Sequence, residues 1–166
     1  MGFDEQLARA VGLAALFVVL VAGLNPFVAA SVRAEVLTKA VGGATEPLVI
    51  VTAGGRRSFT VEIADEPAEQ SLGLMYRTAL AAGTGMLFVH PKPKELAMWM
   101  RNTYIPLDMV FIRADGIVHR IASNTEPMSE TLIPSKGLVT GVLEIGGGEA
   151  QRLGIKPGDK VEHRLF

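Results

Sequence analysis

Between Ser58 and Ile63 apolar and polar residues alternate, with Phe59, Val61 and Ile63 on one side and Thr60 and Glu62 on the other. A period of two marks a strand with one buried face. The β-branched run Leu48–Thr52 precedes it across Ala53-Gly54-Gly55, so the two predict a hairpin. Asp65-Glu66-Pro67 reads as a helix start, an acidic cap with an early proline, and Ala68, Leu72 and Met75 continue at helical spacing. Met86–Val89 predicts a compact apolar strand, Pro91–Lys94 its turn and Leu96–Met100 a returning strand. Met109–Ile112 and Ile117–Ile121 flank Asp115-Gly116, a strong hairpin signal. Leu138–Ile145 predicts a further strand. Gly146-Gly147-Gly148 then leads into a short helix ending at Leu153 with Gly154 as its cap, before a last strand, Val161–Phe166. Seven or eight short strands and two short helices, without repeated strand–helix alternation, predict an α+β, mostly β domain. Its expected form is an antiparallel sheet curled toward a small barrel.

The start of the chain has a different pattern. Val11–Leu24 is fourteen residues without a charge. That length suits the apolar region of a secretory signal and falls short of the roughly 20 residues that span a bilayer. Val32-Arg33-Ala34 places small residues before Glu35 as a cleavage site, and Ala29-Ala30 is a second candidate. Ala10–Ala30, mostly apolar, keeps an uncleaved anchor open. The expected organisation is residues 1–34 as signal peptide or membrane anchor, 35–47 as linker, and 48–166 as a single β-rich domain. Cleavage makes the domain periplasmic or secreted. Retention anchors it to the inner membrane facing the periplasm. Intact-mass analysis of the protein from its native host checks this: a mass beginning at Glu35 is expected, and full-length protein in the cytosol would contradict export.

Composition narrows the classes of function. Outside residues 1–34 there are 14 basic and 15 acidic side chains, a net charge of −1. A near-neutral domain lacks the footprint expected for phosphate backbones, so nucleic acid is not an expected partner. Membrane contact is expected only through an uncleaved N-terminal segment. The chain has no cysteine, which removes disulfides, thiolate metal sites and cysteine nucleophiles. Motifs for zinc peptidases, serine hydrolases and P-loop proteins are absent from the sequence, and no cofactor is expected.

Several short stretches occur in an order that resembles one family. They are Gln70-Ser71-Leu72-Gly73-Leu74-Met75-Tyr76-Arg77, then Gly85-Met86-Leu87-Phe88, then Trp99-Met100-Arg101-Asn102-Thr103 with Pro106-Leu107-Asp108. Leu143-Glu144, Gly154-Ile155 and Gly158-Asp159 complete the series. Together they resemble the domain of unknown function 192 family of bacterial and archaeal, mostly exported proteins, over residues 48 to 166. The resemblance implies a shared fold and carries no activity with it. His90 and Met98 depart from it, standing where phenylalanine is usual.

Candidate chemistry centres on residues 101–108, a loop between strands, where binding groups tend to sit. Arg101 offers a planar fork, Asn102 a donor and an acceptor, Thr103 a hydroxyl, Asp108 a carboxylate, and Trp99 a flat apolar platform. That set suits a small polar ligand such as a sugar or a carboxylated metabolite. The structural alternative has Arg101 paired with Asp108 and the amide spent on local backbone. Glu144 ends an apolar run and must be solvated or paired; Arg77 is the default partner. The leading expectation is a binding or accessory module whose site draws on Arg77, Trp99, Arg101, Asn102, Thr103, Asp108 and Glu144, with protein partners left open. Two alternatives remain: a hydrolase using Asp108 and Glu144 as a carboxylate pair, and a periplasmic Cu(I) protein using His90, Met98 and Met100. His119 and His163 read as solvent-side residues.

Overall fold

The computed structural model describes residues 44–166. The expected signal segment, residues 1–34, and residues 35–43 of the expected linker lie outside the described residues. The chain runs β1 (Thr45–Thr52), β2 (Gly55–Ala64), α1 (Pro67–Leu72), β3 (Thr84–Lys94), β4 (Ala97–Met98), β5 (Leu107–Ile112), β6 (Val118–Ala122), β7 (Ile133–Pro134), β8 (Val139–Gly146), α2 (Glu149–Leu153) and β9 (Lys160–Glu162). Seven strands form one sheet in the order β6-β5-β8-β3-β2-β1-β9. The sheet curls into a half-barrel. At one end its edges meet: Ile117 bridges Lys160, and the N–H of Val161 donates to the Gly116 carbonyl at 2.8 Å. Closing the edges in this way hides strand groups that would otherwise template aggregation.

Both expected hairpins are present, β1 with β2 and β5 with β6. The acidic start of α1 is present too, with Pro67 as its first residue. Both Asp65 and Glu66 N–H groups donate to the Glu69 carboxylate, which satisfies donors the helix leaves free. β2 and β3 pair in parallel, an exception in an otherwise antiparallel sheet. A parallel neighbour needs a crossover, here α1 and the loop after it.

Four boundaries differ from expectation. β1 begins at Thr45, inside the segment read as linker, because Thr45–Pro47 pair with Thr60–Glu62. Pro91–Lys94 is no turn; it extends β3 past an irregularity between Val89 and Lys94. Leu96–Met100 does not return along β3. Only Ala97–Met98 is strand, paired with Ile133–Pro134 in a separate two-stranded sheet. The last strand stops at Glu162, and Phe166 N–H turns back to the His163 carbonyl. That turn also buries His163, whose side chain is 1% exposed with Nε2 3.1 Å from Glu46 Oε2, so the solvent-side reading fails there.

At β5, β8 and the first half of β3 the sheet buries both of its faces, whereas β1 and β2 alternate. One side packs Leu48, Ile50, Val61, Leu87, Leu143 and Ile145 into an interior core. The other packs Met86, Phe88, Met109 and Val142 with Leu74 and Met100. The second set exists because the chain between β2 and β5 lies over the outer face. A half-barrel whose outside met water would show alternation on every strand. β8 shows none, and all but its last residue are buried.

Candidate functional site

β8 carries one acidic side chain into that second layer. Glu144 pairs across the sheet with Met86 on one side and Met109 on the other. Directly opposite residues share a face, so its carboxyl emerges between two thioethers. It is 4% exposed. Among the described residues no donor or cation reaches it, and burial alone pushes its pKa up to about 8. The expected partner, Arg77, is committed elsewhere: its guanidinium makes a two-pronged pair with Glu62 at 2.5 and 2.7 Å. The Arg77–Glu144 pair is therefore absent, since Arg77 is fully used on β2.

Glu144 is left facing a cavity of about 30 Å³, whose walls include Leu72, Leu74, Phe88, Met98, Trp99 and Thr103. The cavity shares Phe88, Met98 and Trp99 with a wider groove of about 490 Å³, which adds His90, Leu96 and Arg101. The two make a cleft with an acid at its floor and basic groups at its mouth. Gly73 shapes one wall: its φ is +49°, and a Cβ there would come within 3.0 Å of the Phe88 ring. Gln70 holds α1 in place by donating to the carbonyls of Ala64 and Val89 at 3.1 and 2.8 Å.

The polar loop does not act as one unit. Arg101 lies exposed over the Trp99 ring, 4.1 Å from its centroid, a cation–π arrangement. Among the described residues Arg101 has no salt bridge. Thr103 turns inward to the cavity, its hydroxyl donating to the Arg101 carbonyl at 3.3 Å. Asn102 turns away. Its φ is +55° and its amide donates to the Tyr76 hydroxyl at 3.0 Å, so its role is to hold the loop.

Asp108 corrects the expectation most sharply. It is fully buried and accepts three backbone N–H groups, from Asn124 at 2.6 Å, Gly148 at 2.9 Å and Ala150 at 2.8 Å. The glycine run before α2 does present amides to an anion, and that anion is Asp108 itself. Asp108 sits opposite Ile145, which belongs to the interior core, whereas Glu144 faces the outer layer. Because side chains alternate across a strand, the two carboxylates project from opposite faces of the sheet. The carboxylate-pair hydrolase loses its geometry, and Arg101 has no Asp108 to pair with.

The copper set also comes apart. His90 and Met98 line the groove, but Met100 is completely buried and its sulfur accepts the Thr125 hydroxyl at 3.1 Å. The chain turns after β4, so Met98 and Met100 do not share a strand face. Burial, then the charge of Lys94, hold His90 below the ordinary histidine range.

Two features of the cleft were not legible in the sequence. One is that Gln70–Met75 forms a wall of it, opposite residues 98–103. The other is backbone strain beside it. Tyr76, Asn102 and Met128 all have positive φ, with Tyr76 N–H donating to the Asn102 carbonyl and Met128 N–H to the Thr103 carbonyl. Bulky residues rarely adopt this conformation, and where they do, the site is often functional. Tyr76 and Met128 both hold exposed side chains there.

Similar proteins fit this picture of a shared fold. A crystal structure from Sinorhizobium meliloti, of a protein proposed to be a transcription regulator, is 42% identical, with a TM-score of 0.73 over 75% of this chain and 98% of that one. A protein of unknown function from Novosphingobium aromaticivorans is 48% identical, with a TM-score of 0.70 over 72% of this chain and 85% of that one. No curated protein matches the chain. Gln70–Met75, Phe88, Trp99, Thr103 and Glu144, far apart in sequence, meet at one cavity, and residues 49–163 match the family model DUF192, described as "Uncharacterized ACR": the chain belongs to that family.

Proposed function

We propose that the domain is an exported binding or accessory module, and that its ligand is a small polar molecule held in the Glu144 cleft. The observation that carries this reading is the Glu144 carboxyl, which lines the cavity and has no partner among the described residues. A fold that keeps a carboxyl facing a cavity with no protein partner holds a group ready for a guest. Trp99 and Phe88 supply apolar contact, while Thr103 and Arg101 supply directional polar groups. Location outside the cytoplasm is part of the proposal and rests on residues 1–34. The near-neutral charge of the domain argues against nucleic acid as the ligand, whatever the Sinorhizobium protein binds.

Amide chemical-shift mapping with a panel of small sugars, carboxylates and amines tests the reading. Binding molecules are expected to move the resonances of residues 70–75, 98–103 and 144 together. Hits confined to the separate groove between β6 and Thr131–Lys136 would contradict it, as would a panel that moves nothing.

A further inference from the structure

The cleft sets an acid in one part and a guanidinium in the other. Its floor is a single carboxyl among Leu72, Leu74, Phe88, Met98 and Trp99, and no other charged side chain lines that cavity. Its mouth carries Arg101 and His90, with Lys94 close enough to act on His90. The floor cavity, about 30 Å³, has room for one group the size of a water molecule.

We infer that the ligand is an amino-acid-like zwitterion, which inserts a primary ammonium onto Glu144 and keeps its carboxylate outward, toward Arg101. The inference rests on reading the cleft as a binding site and names the class of ligand. An ammonium is compact enough for the floor and brings three donors to a carboxylate that has none. Charge-assisted bonds of this kind are about twice as strong as neutral ones, so a hydroxyl satisfies the same acceptor less well. The apolar walls strengthen the attraction by excluding water. A simple amine meets repulsion from Arg101 and Lys94 as it enters. An amine that also carries an anion meets attraction at both ends, and Arg101, stacked on Trp99, presents a fork suited to a carboxylate.

Binding then moves a proton. Burial, which pushes the Glu144 pKa up to about 8, favours the neutral acid in the free protein at pH 7. Docking of the ammonium turns it into the carboxylate, its proton passes to solvent, and the ammonium keeps all of its own. Binding therefore releases protons, up to one per ligand.

Titration calorimetry at pH 7 in phosphate and in Tris reads that proton from the buffer dependence of the heat. The probes are glycine, 4-aminobutyrate and 6-aminohexanoate, which set the two charges progressively further apart, with hexylamine, hexanoate and N-acetylglucosamine as contrasts. At least one amino acid is expected to bind with proton release, and about tenfold or more tighter than hexylamine. Arg101→Ala, a change at an exposed side chain, is expected to erase that advantage. Glu144→Gln is expected to weaken the amino acid about tenfold or more and to abolish proton release. N-acetylglucosamine or hexanoate binding in the cleft without proton release, while the amino acids do not bind, would leave the binding site standing and overturn the zwitterion. Failure of every probe would count against both.

Discussion

Glu144→Gln is expected to make the protein more stable at pH 8, by about 3–5 kcal/mol, while changing little at pH 4. The folded-state pKa of Glu144 is raised from 4.5 to about 8, and burial is the cause. Between those values the unfolded chain has released the proton and the folded chain still holds it. The folded state then binds more protons than the unfolded one, so unfolding free energy falls as pH rises through the window. Below about 4.5 both states are protonated and the penalty vanishes. Above about 8 it is complete and constant. Glutamine has the shape of the neutral acid and never ionises, so the variant escapes the penalty. Burial also holds His90 and His163 below the ordinary histidine range, but those groups are common to both proteins and cancel in the difference. Chemical denaturation at pH 4, 6 and 8 gives that difference directly. A variant less stable than the parent at pH 8 would mean that Glu144 is ionised and paired in the folded chain.

The opposite result is expected at Asp108. Its two oxygens satisfy three backbone amides, two of them from the turn that opens α2. Asp108→Ala leaves those donors buried without acceptors and removes the negative charge from a helix start. The expected cost is about 3–5 kcal/mol, in the range for removing one side of a buried charged network. Asp108→Asn keeps the shape but turns an amide N–H₂ toward N–H donors, and about 2–3 kcal/mol is expected. Denaturation midpoints measure both. A loss under about 1 kcal/mol for the alanine variant would contradict the anchoring role.

These two carboxylates show what sequence carried and what it could not. The hairpins, the α1 start and the Gly154 cap were legible because each depends on neighbours a few residues apart. β4 and the path of Pro91–Lys94 were not, because tertiary contacts with β7 and β8 overrode the local turn chemistry. The apolar run Val139–Leu143 announced a strand, and the acid at its end stood out as needing water or a partner. Which face each carboxylate takes depends on the β5–β8 register, pairing Asp108 with Ile145 and Met109 with Glu144. A shift of one residue would set Asp108 opposite Glu144 and put both carboxylates on one face, and nothing within either strand fixes it. Trp99, Thr103 and Glu144 line one cavity, and Trp99 and Arg101 line the groove beside it. Arg77, Asn102 and Asp108 had the right chemistry but are occupied by Glu62, Tyr76 and the α2 turn.

The account stands on the state of one carboxyl in the folded protein. With glutamate labelled at the side-chain carbon, the ¹³C resonance of Glu144, assigned by its absence from Glu144→Gln, can be followed against pH. A midpoint near 8, well above the ordinary glutamate range, is the result predicted. A midpoint at or below about 4.5 would show an ionised, partnered carboxylate and would contradict the reading of the cleft.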